Sequence, residues 1–333
     1  MTAVSCVARG LATRADARRR PAASDARPLL ADGRIARRAV LLALTACAPG
    51  WLPRVALATN SDSSSSVFAA LQAEAASAFS SQDFATADAA LTQLIKLDGA
   101  NVNWLEGRAQ VRCDAKRFNE ALADFDAALA FVEQGSGAGA RLLSGRALAH
   151  EGLYQWEAAL QDYNAAMRSA RAAGFKPDPY VLNSRGNVLA SLGRWADARE
   201  DYLASAAIFQ SSAGYRRGAS TTSRLDGAIY SAANAALMRA QLGDDVGAQA
   251  DLSAVARRAP NSADARAAQA ALLWALGRPG DAESAWESAC LRAEGCARYK
   301  DLDYVARIRR WPPRMVAHLT AFLQLQNPPP PST

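Results

Sequence analysis

Two cysteines near the carboxyl end, Cys290 and Cys296, are the residues with the clearest capacity for covalent chemistry. The last residue of the five that separate them is Gly295, which allows the chain to turn far enough to bring the sulfurs together in an oxidising compartment. A buried free thiol is the alternative, because Cys290 falls where small apolar residues pack on a predicted helix. A third hypothesis is a redox-catalytic pair, which requires an activating environment around one thiol.

Histidine, the commonest general base and metal ligand, occurs only as His150 and His318. Neither has the spacing of a metal site or catalytic triad around it, and the sequence contains no phosphate-binding loop, dinucleotide-binding glycine motif or Cys-x-x-Cys pair. We predict that His150 is a half-buried packing residue and that His318 is solvated on the polar side of the last helix. The sequence therefore predicts a protein that is not an enzyme and that has no cofactor and no metal.

Three arginines each stand sixteen residues before an aspartate. The pairs are Arg108 with Asp124, Arg146 with Asp162, and Arg185 with Asp201. A basic stripe for an acidic ligand would explain the arginines alone. An ion pair between two packed helices explains why both partners recur together, and it is the interpretation we favour, although an exposed pair contributes only ~0.2–1 kcal/mol.

The excess of positive charge lies at the amino end of the chain, in residues 1–58. This segment has ten arginines, three aspartates and neither lysine nor glutamate, so its net charge is +7. Since the whole chain has a net charge of +6, the remainder from 59 to 333 has a net charge of −1. Nucleic-acid binding requires a persistent basic surface, which a removable presequence does not supply. We therefore expect no nucleic-acid partner.

Two targeting signals follow one another in residues 1–58. A part rich in Arg, Ala and Ser precedes Arg37 and Arg38, a ten-residue apolar stretch at 39–48 and an Ala-x-Ala site at 56–58. This order resembles the two-step presequences of thylakoid-lumen proteins, which implies the chloroplast and, within it, the thylakoid lumen. The alternatives are the stroma, the mitochondrion, or a bacterial envelope in which Cys47 of a lipoprotein box is the anchor.

Membrane association is expected only through a partner or through an uncleaved presequence. Ten apolar residues are too few to span a bilayer as a permanent anchor.

A sequence unit recurs six times between residues 67 and 297. In each copy a small residue lies twelve positions before an alanine, and a large apolar residue follows four positions later. The small residues are Ala75, Ala109, Ala147, Gly186, Ala236 and Ala270. The alanines are Ala87, Ala121, Ala159, Ala198, Ala248 and Ala282. The large residues are Leu91, Phe125, Tyr163, Tyr202, Leu252 and Trp286.

This pattern resembles the tetratricopeptide-repeat (TPR) family, whose period is about 34 residues of helix–turn–helix. The first and the last interval between successive second-helix alanines equal that period here, whereas the three intervals between them are longer, so the connections have grown in the middle. Two helix backbones approach closely only where side chains are small, which places the Ala and Gly positions at helix crossings. The predicted fold class is all-α: a TPR superhelix of six helix–turn–helix units with a carboxyl-terminal capping helix.

Composition divides the chain into five segments. We predict a presequence at 1–58, a Ser-rich linker at 59–66, the repeat array at 67–297, a helical cap at 298–325 and a Pro-rich tail at 326–333.

Within the predicted cap, a short helix runs from Asp301 to Arg310 and a second helix follows the break at 311–313. Five side chains lie on one apolar face of the second helix: Met315, Val316, Leu319, Phe322 and Leu323. The residues from Tyr299 to Leu323 resemble the carboxyl end of plant and algal chloroplast TPR proteins.

The family resemblance implies a groove for partner peptides that is lined by the first helix of each unit. The groove positions in this sequence are Asn103, Gln110, Arg141, Tyr180, Asn183, Asn187, Tyr230 and Asn234. Asparagine both donates and accepts hydrogen bonds, which suits an extended backbone. Some TPR co-chaperones clamp a terminal carboxylate with lysine on this face, and the matching positions here hold none: Gln72, Glu106, Ser144, Asn183, Ala233 and Ala267.

The resemblance therefore implies a non-enzymatic scaffold for protein–protein interaction, with a protein as its partner. We expect it to aid the assembly or stability of a photosynthetic complex in the chloroplast. The alternatives are a thiol-redox protein that uses Cys290 and Cys296 and a bacterial TPR lipoprotein anchored at Cys47.

Overall fold

The computed structural model describes residues 63–211, 223–291 and 295–325. The predicted presequence, with Cys47, and the predicted tail lie outside the described residues. The described residues form thirteen α-helices and no strand, which confirms the all-α class. The helices are α1 Ser63–Ser80, α2 Phe84–Leu97, α3 Val102–Asp114, α4 Phe118–Leu129, α5 Gly137–Gly152, α6 Trp156–Ala172, α7 Pro179–Ser191, α8 Trp195–Ser211, α9 Ser223–Gln241, α10 Asp245–Arg258, α11 Ala263–Ala275, α12 Pro279–Cys290 and α13 Pro313–Leu323.

Helices α1 to α12 form six helical hairpins, which we number one to six along the chain. Each helix packs against the next, and the first helices of hairpins two to five, α3, α5, α7 and α9, also touch in succession. The hairpins therefore stack into a solenoid, and the first helices line one side of it, which we call the inner face. The first helix begins at Ser63, four residues before the predicted start of the array.

The small residues at the predicted helix crossings are fully buried or tightly packed. The five first-helix alanines and the six second-helix alanines all have an exposed fraction of 0%. At the remaining crossing, a Cβ atom on Gly186 would lie 2.9 Å from the Tyr202 ring. Small residues stand at these positions because a larger side chain would force the two backbones of a hairpin apart.

Residues 295–325 form a segment that we call the strap. A 3₁₀ turn, Ala297–Lys300, and a π-helical turn, Tyr304–Ile308, precede α13. The helix predicted from Asp301 to Arg310 is thus reduced to one wide turn. The start of α13 at Pro313 confirms the predicted break, because proline suits the first turn of a helix.

The carboxyl-terminal helix α13 packs on the last hairpin, as predicted for a capping helix, and the strap also extends along the inner face of the array. Helix α13 packs along α11 and α9, the first helices of hairpins six and five. Its apolar face is buried as predicted, with Phe322 at 5.7 Å from the Trp274 ring and 5.4 Å from the Trp286 ring. The strap takes this position because its apolar face and its arginines both find partners on the helices of the array.

His318 corrects a prediction, since it is buried rather than solvated. Its exposed fraction is 8%, and its Nε2 atom lies 3.7 Å from the carboxylate of Asp245, the first residue of α10. The pattern of α13 alone placed His318 on a polar side, but α10 covers that side too. Burial lowers the pKa of His318; Asp245 opposes this shift and Arg314 adds to it.

This lowered pKa predicts a loss of stability in mild acid. Above a pH of about 6.5 the contribution of neutral His318 to the free energy of unfolding is complete, and it is lost as the pH falls through the lower pKa of the folded state. We expect urea unfolding to show lower stability at about pH 5.5 than at about pH 7.5, and His318→Gln to reduce that difference. His150→Gln is the control for the loss of a histidine side chain elsewhere in the fold. An unchanged difference in His318→Gln would contradict the assignment.

Candidate protein-binding surface

The three predicted ion pairs between helices are present. Each arginine donates two hydrogen bonds of 2.7–2.9 Å to its aspartate. The pairs join α3 to α4, α5 to α6 and α7 to α8. The aspartates are buried. These arginines are therefore held within the array and do not form a free basic stripe.

Each of these arginines also reaches the second helix of the preceding hairpin. Arg108 donates to Thr92 at 3.0 Å, Arg146 to Asp126 at 2.7 Å, and Arg185 to Asn164 at 2.7 Å. One guanidinium thus joins three helices, and we call these three arginine–aspartate pairs the ladder pairs and their arginines the ladder. This arrangement fixes the angle between successive hairpins as well as the packing within each hairpin.

Asp264 of α11 is the anchor of the strap. Its buried carboxylate accepts two hydrogen bonds from Arg309, at 2.9 and 2.6 Å, one from Tyr299 at 2.9 Å and one from Trp311 at 3.3 Å. Burial raises the pKa of Asp264, but the charge of Arg309 and these hydrogen bonds outweigh it and hold the pKa below its usual value. The carboxylate therefore stays ionised at neutral pH, and three strap residues depend on it.

The next strap residue, Arg310, extends along the inner face as far as hairpin three. It donates at 2.8 Å to Glu151 of α5, which is 159 residues away in sequence. Its guanidinium also lies over the Trp156 ring, 5.1 Å from the centroid. Arg310 has a left-handed backbone with φ 54°, a conformation that costs a non-glycine residue on the order of 1–2 kcal/mol. The strap therefore spans the inner face from hairpin six to hairpin three.

The strap covers the carboxyl-terminal part of the predicted groove. Arg309 lies over the Tyr230 ring, 5.4 Å from the centroid. Asn234 is half-buried one turn further along the same helix. Tyr230 was predicted to face a partner, but here it supports the strap, since the sequence pattern of the repeats takes no account of a segment that folds back.

Two predicted peptide-binding asparagines are used within the protein. The Oδ1 atom of Asn183 accepts a hydrogen bond from Ser231 at 3.1 Å, and that of Asn187 accepts one from Tyr202 at 2.7 Å. Both bonds hold α7 to its neighbours. Asn103 is exposed at the start of α3 and lies apart from the groove described next.

Gln110, Arg141 and Tyr180 lie together on an open groove of about 1240 Å³ at hairpins two, three and four. Its walls are helices α5 and α6, the connection between α6 and α7, and the start of α7. The apolar lining includes Phe125, Leu148, Tyr163, Met167, Phe175 and Val181. Gln110, Arg141 and Tyr180 are first-helix positions of the predicted groove. The residues of α6 and of the connection were not among the predicted positions, because the prediction assigned binding to first helices only.

The open groove has an excess of basic side chains. Five basic and two acidic residues line it, a net charge of +3: Arg141, Arg168, Arg171, Lys176, Arg185, Glu106 and Asp178. Two of the arginines are neutralised, Arg141 by Glu106 at 2.9 Å and Arg185 by the aspartate of its ladder pair. Arg168, Arg171 and Lys176 are exposed. Among the described residues, these three make no ion pair.

The two carboxyl-terminal cysteines form a disulfide. It joins Cys290, the last residue of α12, to Cys296 in the strap, with Cα atoms 4.7 Å apart. The bond therefore ties the strap to the array at the point where the chain leaves α12. Cys113 is buried, and burial raises the pKa of its thiol to about 12, so that it is protonated and unreactive at neutral pH.

Neither a metal centre nor a membrane-spanning helix is found in the described parts of the chain. No three His, Cys, Asp or Glu side chains there are grouped so that they could bind a metal ion. None of the described helices combines the length and the apolar character that crossing a bilayer requires.

The chain has the fold of TPR proteins, as solved structures show. A tetratricopeptide repeat protein from Parabacteroides merdae matches it with a TM-score of 0.51 and 16% identity, over 78% of this chain and 99% of the other. BtubC from P. vanneervenii matches with a TM-score of 0.50 and 17% identity, over 79% and 96%. A chain of the APC/C hetero-tetramer Cut9–Hcn1 matches with a TM-score of 0.51 and 15% identity, over 76% of this chain and 42% of the other.

Sequence comparison adds nothing to this result. No protein-family model matches the chain, and no curated protein matches it. The likeness to the solved structures therefore shows the fold alone.

We expect Arg309→Met to destabilise the protein strongly, because it leaves Asp264 buried without its cationic partner. Removing one member of a buried ion pair costs about 3–5 kcal/mol. The measurement is urea unfolding at neutral pH. Arg307→Met is the matched control: Arg307 is 66% exposed and pairs with exposed Asp303, so its loss should cost less than ~1 kcal/mol. Equal effects of the two changes would show that Asp264 does not anchor the strap.

Proposed function

We propose that this protein is a non-enzymatic scaffold that binds a segment of a partner protein in the open groove of hairpins two to four. The observation that supports this most directly is the division of the inner face. The strap makes contacts on it from hairpin six as far as Glu151 of hairpin three, whereas the groove beside Gln110, Arg141 and Tyr180 is free of the protein's own described chain.

The size and lining of the groove suit a peptide. Sites for small molecules usually measure ~300–1,000 Å³, and this groove is larger and follows three successive hairpins. Leu148, Met167 and Val181 offer apolar surface, while Gln110 and Ser184 offer hydrogen bonds. An extended chain with alternating apolar and polar side chains fits such a surface.

The residues that could do chemistry are engaged within the fold, which supports a binding function. His150 is in hydrogen-bond contact with Gln155 at 2.6 Å. His318 is buried against Asp245, and the Cys290–Cys296 disulfide ties the strap to α12. We assign the disulfide a structural function for that reason.

We further propose that the protein works in the thylakoid lumen of a chloroplast and aids the assembly or stability of a photosynthetic complex. The transit-like and signal-like parts of residues 1–58 support this address. A disulfide between Cys290 and Cys296 also suits an oxidising compartment.

The groove is tested by capture of partners from the protein's own cells with a tagged mature chain. Leu148→Asp places a charge on the apolar wall, and we expect it to reduce capture by about tenfold or more, a loss that corresponds to about 1.4 kcal/mol. Leu203→Asp is the matched control, because Leu203 is exposed on α8 and lies apart from the groove. Circular dichroism checks that both variants fold. Equal capture by the wild type and Leu148→Asp would refute binding in this groove.

The proposed location in the thylakoid lumen is tested by mass spectrometry of the amino terminus of the mature protein. We expect it at or near Thr59, after the Ala-x-Ala site, since removal there follows export across an inner membrane. A terminus near residue 30 would retain the apolar stretch and would contradict the lumenal address.

A further inference from the structure

We infer that the partner segment bound in the open groove is acidic. Its carboxylates form ion pairs with Arg168, Arg171 and Lys176, and an apolar side chain of the same segment lies next to them. This inference rests on the proposed function and names the chemistry of the partner. The observation that supports it is a cluster of exposed basic residues on one rim of the groove, which make no ion pairs in the described structure.

Such a cluster is unusual in this protein. Most arginines of the described residues face a carboxylate, including those of the three ladder pairs and Arg309, Arg310 and Arg314 of the strap. Two arginines of the groove, Arg141 and Arg185, are likewise paired with a carboxylate. Once these two pairs are set aside, Arg168, Arg171 and Lys176 stand against one acidic residue of the lining, Asp178, so that a positive excess remains.

The local structure places these charges together. Arg168 and Arg171 are three residues apart near the end of α6, so they share one helix face. Lys176 follows in the short connection to α7. The carboxyl end of a helix favours cations, which explains how these arginines can remain without an anion. They are therefore available to a ligand at little cost to the fold.

An apolar surface adjoins the basic rim. Phe175, beside Lys176, is 51% exposed, and its ring rests on α5 at Gly137, where a Cβ atom would run into it. Tyr180 and Val181 continue this surface along α7. A segment with two or three carboxylates next to an aromatic or aliphatic side chain would satisfy both parts of the site.

This basic site differs from the lysine clamp of some TPR co-chaperones. The clamp positions of the first helices in this part of the array hold Glu106, Ser144 and Asn183. The basic residues here belong to a second helix and to the connection after it. The expected ligand is therefore an internal acidic segment as readily as a chain terminus.

The test is selection of binding peptides from a random display library on the full mature chain. We expect groove-dependent peptides, defined by loss of binding to Leu148→Asp, to be enriched in Asp and Glu. Binding of a synthetic copy of the best peptide should weaken by about tenfold in the double variant Arg168→Gln, Arg171→Gln. It should also weaken as salt is raised, because exposed charges are screened. The control is Lys96→Gln with Arg257→Gln, which removes two exposed charges from the last turns of α2 and α10 and should leave binding unchanged.

The possible outcomes separate the two claims. Groove-dependent peptides without acidic enrichment, or equal binding by both double variants, would overturn the inference and leave the proposed function standing. A selection that yields only peptides insensitive to Leu148→Asp would count against the proposed function itself. The wild type could also bind phosphatidylglycerol vesicles. If the double variant Arg168→Gln, Arg171→Gln lost vesicle binding but still bound the peptide, the cluster would be reassigned to a lipid surface and the inference overturned.

Discussion

The buried ion pair between Asp264 and Arg309 determines which surface of this protein is free. A charge in a buried site is stable only with a partner and full hydrogen bonding, and Asp264 obtains four hydrogen bonds from three strap residues. The strap must therefore lie on the inner face. Once it lies there, Arg310 extends to Glu151, and the strap makes contacts from hairpin six to hairpin three. It leaves open the groove beside Gln110, Arg141 and Tyr180, which other residues of hairpins two to four line.

The ladder of arginines gives that groove a defined shape. Arg146 joins α5, α6 and α4, and Arg185 joins α7, α8 and α6. These are the helices that form the groove or support its walls. A binding surface that is fixed before the ligand arrives loses less conformational entropy on binding. Most carboxylate and guanidinium groups thus stabilise the fold, and we propose that Arg168, Arg171 and Lys176 on the rim of the groove serve recognition.

The repeat spacing predicted the helical hairpins and their crossings, because each depends on contacts within one unit of sequence. Gly186 is an example: the pattern called for a small residue, and the Tyr202 ring occupies the space of its missing side chain. The arrangement of the strap was not predictable in this way. The contact between Arg310 and Glu151 joins residues 159 positions apart, which no local periodicity reports. The burial of His318 and the contact of Tyr230 with Arg309 were not predicted for the same reason, since neither can be inferred before the strap and α10 are placed.

Hydrogen exchange of the mature protein, with and without a groove-dependent peptide, tests the central claim most directly. That claim is that a partner binds at hairpins two to four while the strap stays in place. We expect amides in α6, α7 and their connection to gain protection on binding, because backbone bonds there become shielded and open less often. Amides of residues 295–325 should exchange at the same rate in both states. Faster exchange throughout the strap, with no gain in α6 and α7, would show that partners displace the strap and bind the inner face beneath it.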